Sequence, residues 1–423
     1  MTHITRYITW LLLLLPALLR AQGNSVEKDG PVLPLDSILQ RIDRNNVLLQ
    51  SYRFKAESYR LNADAATAWM APMVGAGTFM TPYPRQEIMD DRDKGSLMFQ
   101  LEQDIPNPAK QQAKRRYISS QGNVEAAGRA VTLNDLKARA RQLYYNWLVA
   151  KQRIAVLEEN DKIMRTMKKI EEVRYPYNQS QLGNVFKADA KIAENANMVR
   201  MQEGTIAKAR AWLNSLMDRP GNEPFDIDSA ALPEFLPAAT YDTSALAMAR
   251  KDVFRMDESI RSMQLNIESM RQEKKPDFKL RFDHMQPLGN MMPKAFSAMG
   301  MVSIPIAPWS SRMYRSGIKA MQQDVEAMRR ERAAMLQETQ GMLYGMQYEI
   351  QSMQRRITTM EEKIVPSLRR VLDAAFLNYQ ENRLPLPEVI DAWEALTMME
   401  LNVLDEKLKR YEMIVSYEKE LYR

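Results

Sequence analysis

Helical periodicity covers most of the chain. Apolar residues recur at intervals of three and four, the pattern of an amphipathic helix, from Pro108 to Pro176 with no proline between them. About 67 residues at 1.5 Å each would form a rod of roughly 100 Å, longer than a single globular domain needs. Similar patterns cover 36–69, 185–216, 243–274 and, interrupted only by prolines, 309–423. The chain is therefore predicted to consist mainly of long helices.

Two short regions alternate apolar and polar residues with a period of two, which predicts strands with one apolar face. Residues 97–102 form the first region, and 278–283 with 296–304 form the second; residues 73–80 give a weaker fourth strand. Each is about ten residues long, the length that a tilted strand needs to cross a bilayer. An ordinary sheet with one solvated face is the alternative. Aromatic residues near the strand ends favour the membrane: Trp69, Tyr83 and Trp309.

The two halves of the chain repeat the same order of elements. Pro72 and Pro276 both precede a first strand, and they lie as far apart in sequence as Tyr175 and Tyr379. The predicted organisation is a signal peptide (1–21), an N-terminal linker (22–34), repeat 1 (35–218, hairpin about 71–105), a linker (219–242) and repeat 2 (243–423, hairpin about 276–305). Fixed offsets across a whole chain indicate an internal duplication.

The N-terminus has the form of a secretory signal peptide. Arg6 supplies a positive charge, residues 8–19 are almost entirely apolar, and Ala21 precedes a cleavage position. An uncleaved N-terminal anchor is the alternative. No later stretch approaches eighteen consecutive apolar residues, so the exported protein is expected either to be soluble or to span a membrane as strands.

Composition excludes several classes of function. The 423 residues include no cysteine and two histidines, which excludes disulfides, thiol nucleophiles, a lipid-modified N-terminal cysteine and histidine triads. The net charge of +6 is spread along the chain and gives little support for nucleic-acid binding. Without a phosphate loop or an HExxH motif, we expect neither an enzyme nor a cofactor.

Four strands cannot close a sheet on themselves, and an open edge in lipid leaves backbone groups unpaired at several kcal/mol each. The chain is therefore expected to oligomerise. The sequence supports a multiple of four strands, and three copies would give twelve.

Two tip motifs carry a family resemblance: YPYNQSQLGNVFKA (175–188) and YQENRLPLPEVIDA (379–392). With the whole-chain organisation, they resemble the TolC-like outer-membrane efflux proteins, and the segment WMAPMVGAGTFMTPYP is closest to the heavy-metal branch. The resemblance implies an α+β fold in which long coiled helices form a periplasmic α-barrel. Four strands per chain would join a twelve-stranded outer-membrane β-barrel in a homotrimer. It also implies an exit duct that works with a periplasmic adaptor and an inner-membrane pump of the RND type.

The resemblance also assigns residues at the tip. Glu388 and Asp391 would form carboxylate rings at the pore aperture, with Tyr379 and Asn184 beside them; two solvated carboxylates in a first helical turn are the alternative. Arg383 stands one position from the expected basic partner. Asparagine replaces glycine in both turns and tolerates the left-handed conformation that such turns use. The predicted adaptor contacts, or else plain connecting loops, are Asn178, Gln181, Leu182, Gly183, Asn382, Arg383 and Leu384.

Methionines recur every seven residues in the second repeat, as in Met256, Met263 and Met270. Heptad spacing favours helix packing; a thioether ladder for Cu(I) or Ag(I) is the alternative. Met98, Met299 and Met301 are predicted on the lumenal strand face, and His284 and Met285 in the second hairpin loop. These five are weak candidate ligands for a soft metal.

Two other functions remain open at this stage. The duct could serve a type I protein secretion system rather than an efflux pump. A soluble periplasmic coiled-coil structural protein is the third hypothesis.

Overall fold

The computed structural model describes residues 30–177, 181–230, 232–238, 240–304 and 308–422. The predicted signal peptide (1–21) lies outside these residues. The chain divides into two compact units: one contains Met1–Arg44, Ala140–Pro233 and Ile357–Tyr411, and the other contains Asn45–Arg139, Glu234–Arg356 and Glu412–Arg423. Each unit therefore takes segments from both predicted repeats.

The helices follow the predicted pattern closely. They are α1 (Leu35–Asn45), α2 (Val47–Ala65), α3 (Pro108–Arg174), α4 (Leu182–Leu216), α5 (Thr243–Ala249), α6 (Lys251–Gln272), α7 (Pro308–Thr359), α8 (Val365–Gln380) and α9 (Leu386–Leu421). The uninterrupted helix predicted between Pro108 and Pro176 is confirmed. No helix among the described residues combines the length and apolarity needed to cross a membrane.

Two predicted continuous helices are divided by single polar residues. Asn46 separates α1 from α2, and its Oδ1 accepts hydrogen bonds from the backbone N–H groups of Leu48 (3.1 Å) and Leu49 (3.3 Å). Arg250 separates α5 from α6 in an extended conformation, and its buried guanidinium pairs with Asp252 and, at 2.8 Å, with Glu420. The break at Asn46 satisfies free N–H donors at the start of a helix, and the break at Arg250 pairs a buried charge. Hydrophobic periodicity predicts neither interaction.

The helical pattern, predicted to be interrupted at prolines, changes its hydrogen bonding just before Pro366. A π-helical turn, Met360–Ile364, joins α7 to α8, and Pro366 occupies the first turn of α8. A proline lacks the backbone N–H that an uninterrupted α-helix would use, and a π-turn re-registers the hydrogen bonds around it.

The strands form two sheets. Strands β1 (Val32–Leu33) and β4 (Asp226–Ile227) pair in parallel, while β2 (Met73–Phe79), β3 (Ser96–Ile105), β5 (Asp277–Pro287) and β6 (Ala295–Ser303) form an antiparallel sheet in the order β2-β3-β5-β6. All four predicted long strands are thus present. Within the described chain, β2 and β6 are the edges of this sheet.

The small sheet lies in segments predicted as linkers, 22–34 and 219–242. Phe225 is buried beside it, with its ring centroid 5.1 Å from that of Trp147. Gly30 lies so close to the backbone of Pro224 that an added Cβ would meet the carbonyl oxygen at 2.2 Å. The residues around β1 and β4 that the structure describes are thus packed within their unit.

The register of the four-stranded sheet sorts its side chains onto two faces. Leu101 pairs with Phe282, which pairs with Ala298, and Phe99 pairs with His284, which pairs with Phe296. The apolar face consists of these rows and their neighbours, Val74, Leu97, Leu280, Phe278 and Val302. The polar face carries the alternate residues. The predicted alternation of apolar and polar positions is therefore confirmed.

Methionines of the second repeat pack between helices. Met256, Met263 and Met270 of α6 and Met321 and Met328 of α7 pack against a buried cluster of Ile260, Ile267, Ile318 and Val325. The heptad spacing thus places thioethers in a helix–helix core, which supports the packing interpretation.

Candidate functional site

The turn between α8 and α9 is fixed by one residue in the left-handed conformation. Asn382 has φ 58°, and the N–H of Arg383 donates to the carbonyl of Asn378 at 2.8 Å. The N–H of Asn382 donates to the carbonyl of Tyr379 at 3.1 Å, completing a Schellman motif. The predicted role of asparagine as a glycine substitute is confirmed at Asn382. The equivalent Asn178 lies outside the described residues.

Tyr379 connects this turn to the first repeat. Its side chain is buried, and its hydroxyl donates a hydrogen bond to the Glu171 carboxylate. The Arg174 guanidinium lies 4.6 Å from the centre of the Tyr379 ring and donates to the carbonyls of Tyr379 (3.1 Å) and Gln380 (3.0 Å). Arg174 therefore binds both the ring and the last carbonyls of α8, where a cation is favoured.

Asn184 reaches the same carboxylate from α4. Its Nδ2 donates to Glu171 Oε2 at 3.3 Å, so Glu171 accepts hydrogen bonds from both repeats. Burial, followed by the hydrogen bond to Glu171, raises the pKa of the Tyr379 phenol above its ordinary value. The phenol consequently stays protonated, and remains a donor, throughout the physiological pH range.

Glu171 and Arg174 were missed by sequence reasoning. Both lie in the last turns of α3, on a helix whose charged residues are frequent and mostly solvated. Their spacing of three residues places them on one helix face, but only the fold shows that this face meets Tyr379. The sequence named Tyr379 and Asn184, and the structure joins them through Glu171.

An apolar core supports the tip. Leu386, Val389, Ile390 and Trp393 of α9 pack into a buried cluster with methionines of α3 and residues of α4 and α8. The Trp393 indole N–H also donates to the carbonyl of Asn160 at 3.2 Å. This face of α9 is therefore fixed against α3.

The predicted aperture carboxylates lie on the other side of α9. Glu388 and Asp391 are exposed and, one turn apart, share a helix face. Neither carboxylate has an ion-pair partner among the residues that the structure describes. Arg383, the displaced basic residue, pairs instead with Glu381 at 3.1 Å. Among the described residues, Arg383 therefore forms no ion pair with Glu388 or Asp391.

A cleft of about 720 Å³ gathers most of the predicted tip residues. Its lining includes Gln181, Asn184, Asn382, Arg383 and Leu384. Gly183 has no neighbouring atom near its missing Cβ, and Leu182 is exposed. Leu384 was expected in an exposed turn, but it packs against the apolar core beneath the tip. The cleft and Leu182 together form a surface that a partner could contact.

The candidate metal ligands do not form one cluster. Met98 pairs directly with Met285 on the polar face of the sheet, while Met299 and Met301 lie on the same face opposite Arg281 and Lys279. The pair of Met98 and Met285 lies four residues along β5 from the position opposite Met299, which is about 13 Å at 3.3 Å per residue.

His284 departs from the prediction. His284 and Met285 belong to strand β5 rather than to the hairpin loop, and His284 lies on the apolar face. Strand pairing continues to Pro287, so the apolar alternation ends before the strand does. No group of three or more histidine, aspartate or glutamate side chains suited to a metal ion occurs in the described part of the chain.

Comparison with known proteins identifies the fold. No family model matches the chain, and no curated protein matches it. Solved outer-membrane channels do match. CusC has a TM-score of 0.71 at 16% identity, with 95% of each chain covered. MtrE of Neisseria gonorrhoeae, in an open state, has a TM-score of 0.68 at 16% identity, covering 92% of this chain and 88% of that one.

CmeC of Campylobacter jejuni has a TM-score of 0.69 at 13% identity, covering 92% of this chain and 85% of that one. The chain therefore has the α+β fold of TolC-like outer-membrane channels over nearly its whole length. The resemblance found in the tip motifs is confirmed at the level of fold.

Substitution of Asn382 tests the tip turn. Asn382→Gly should leave the stability of the tip almost unchanged, whereas Asn382→Val should cost about 1–2 kcal/mol because a β-branched residue resists positive φ. Limited proteolysis of the assembled protein at increasing temperature measures the difference. Equal resistance of the two variants would contradict the assigned conformation.

Substitution of Tyr379 tests the buried hydrogen bond. Tyr379→Phe should lower stability by about 1–3 kcal/mol, because the buried Glu171 carboxylate loses a donor. The matched control is Tyr348→Phe, which removes a hydroxyl from an exposed tyrosine of α7. Thermal unfolding should shift for the first variant and remain unchanged for the second. An equal response would indicate that the Tyr379 hydroxyl does not stabilise the tip.

Proposed function

We propose that the chain is the outer-membrane exit duct of a tripartite efflux pump. It acts as a homotrimer and passively conducts metal ions or small toxic solutes from the periplasm to the exterior. A periplasmic adaptor contacts the helical tip, and an inner-membrane pump of the RND type supplies the energy. The chain performs no covalent chemistry of its own.

The exposed apolar face of the four-stranded sheet is the observation that carries this proposal. Val74 is 80% exposed, Phe296 72% and Phe99 51%. Phe282 and Phe296 stack on this face, with ring centroids 5.8 Å apart. A protein surrounded by water would expose a contiguous patch of this kind only at an interface. Lipid chains would cover it, which argues against a soluble coiled-coil protein.

The sheet edges support a closed oligomer. In the described chain, β2 and β6 each pair on one side only. Backbone donors and acceptors left open in hydrocarbon would cost several kcal/mol each, whereas pairing β6 of one copy with β2 of the next satisfies them. Three copies would supply twelve strands, the number that the family resemblance implies.

The tip supports the gate and adaptor assignments. Glu388 and Asp391 are exposed, so three copies would place six carboxylates around one axis and favour cations there. The network of Tyr379, Glu171 and Asn184 holds the tip helices of both repeats together, and opening has to move them. The cleft beside Asn382 and the exposed Leu182 form the adaptor-contact surface.

The substrate class rests on the polar strand face. Met98 and Met285 face each other across β3 and β5, and thioethers favour soft ions such as Cu(I) and Ag(I). Met299 and Met301 add further sulfur positions along the same face. The duct therefore offers soft ions weak contacts without a closed metal site.

Conductance of the full-length protein in planar bilayers tests this function. The unmodified protein should form channels that prefer cations. The double variant Glu388→Gln, Asp391→Asn should reduce that preference, because the aperture loses six negative charges in a trimer. The matched control is Glu381→Gln, which removes a tip carboxylate already paired with Arg383.

An absence of channels from the unmodified protein would contradict the duct itself. Channels whose cation preference is the same in the double variant would instead contradict the aperture assignment and leave the duct in place.

A further inference from the structure

Every charged residue of the four-stranded sheet lies on its polar face. These residues are Glu102 and Asp104 of β3, and Asp277, Lys279, Arg281 and Asp283 of β5. The register places Glu102 opposite Arg281 and Asp104 opposite Lys279. No charged residue of these strands lies on the apolar face.

The cations on this face are held by carboxylates. Lys279 Nζ lies 2.5 Å from Glu102 Oε1 and 3.3 Å from Asp104 Oδ1, so one ammonium group faces two carboxylates. Arg281 Nε donates to both carboxylate oxygens of Asp283 at 3.0 Å. No cation of the described strands therefore projects an unopposed positive charge.

A third cation reaches the polar face from a helix, and it too is paired with carboxylates. Lys110 of α3 lies 2.7 Å from Asp277 Oδ2 and 3.5 Å from Glu273 Oε2. Lys110 is thus opposed by two carboxylates. Among the strand residues themselves, four carboxylates stand against two cations, so the strands of each chain carry two excess negative charges, although the net charge of the chain is +6.

Glu102 is held rigidly in this arrangement. It is among the buried polar residues, its Oε1 accepts from Lys279, and its Oε2 accepts from the Gln100 side-chain amide at 3.2 Å. A carboxylate fixed in this way keeps its charge at a constant position, and rings of aspartate or glutamate side chains line cation-selective pores. Simple cross-strand stabilisation is the competing account, and such pairs contribute about 0.2–1 kcal/mol each.

We propose that this polar face is a second cation-selective filter, in which Glu102 and Asp104 set the selectivity and Lys279 limits it. The filter is distinct from the carboxylates at the tip and would carry six excess negative charges in a trimer. It rests on the proposed function, which places this face in the lumen. The substrates that it favours are cations, whether metal ions or protonated amines.

Two variants that change the charge of the polar face in opposite directions test the filter. The double variant Glu102→Gln, Asp104→Asn should lower the ratio of potassium to chloride permeability, while Lys279→Met should raise it. Each change should be about twofold or more near 10 mM salt, where the Debye length is about 30 Å. The measurement is the reversal potential of the full-length protein in a planar bilayer under a potassium chloride gradient.

The two variants control for each other. Both break the Glu102–Lys279 pair, so a merely structural role would move the permeability ratio in the same direction or leave it unchanged. Either result would overturn the proposal. If the double variant does not assemble, Asp104→Asn alone removes only the more distant partner of Lys279 and should still lower the ratio. Failure of the unmodified protein to form channels would contradict the proposed function, a result distinct from unchanged selectivity.

Discussion

One constraint governs the rest of this structure. A strand in apolar surroundings has to pair its backbone N–H and C=O groups. The four-stranded sheet presents an apolar face to its surroundings and ends in two edges that the described chain does not pair. In water the face would aggregate, and in lipid the open edges would be costly. Both problems disappear together if copies of the chain join edge to edge inside a membrane. The proposed oligomer, embedded in a membrane around a water-filled centre, would satisfy both requirements at once.

Much of the fold could be predicted because its periods are long and regular. The 3.6-residue pattern identified α3 and the 2-residue pattern identified β3 and β6 to within a few residues. The helix breaks that the pattern missed lie at polar residues: Asn46 accepts from free backbone N–H groups of α2, and Arg250 forms buried ion pairs. Strand β5 exceeds its predicted end because backbone pairing continues after the apolar alternation stops. Periodicity reports which face is buried, and it does not report individual hydrogen bonds.

The candidate site was predictable only in part. Tyr379 and Asn382 could be named because the tip motifs resemble those of a known family, and Asn382 adopts the left-handed conformation expected of it. Glu171 and Arg174 could not be named, since their roles depend on a contact more than 200 residues away in sequence. A sequence pattern cannot show which carboxylate of a charged helix becomes buried. The tip motif can thus be recognised in the sequence, whereas the residues that stabilise it are brought together only by the fold.

The orientation of the two sheet faces is the central claim, and the absence of cysteine makes it directly measurable. Single cysteines at Gln100 and Leu101, neighbours on β3, can each carry a fluorophore in the full-length protein reconstituted in vesicles. The account predicts that a quencher attached to lipid chains reaches the label at Leu101, and that a water-soluble quencher reaches the label at Gln100. Equal access of the water-soluble quencher to both positions would contradict a sheet that faces lipid on one side and a lumen on the other.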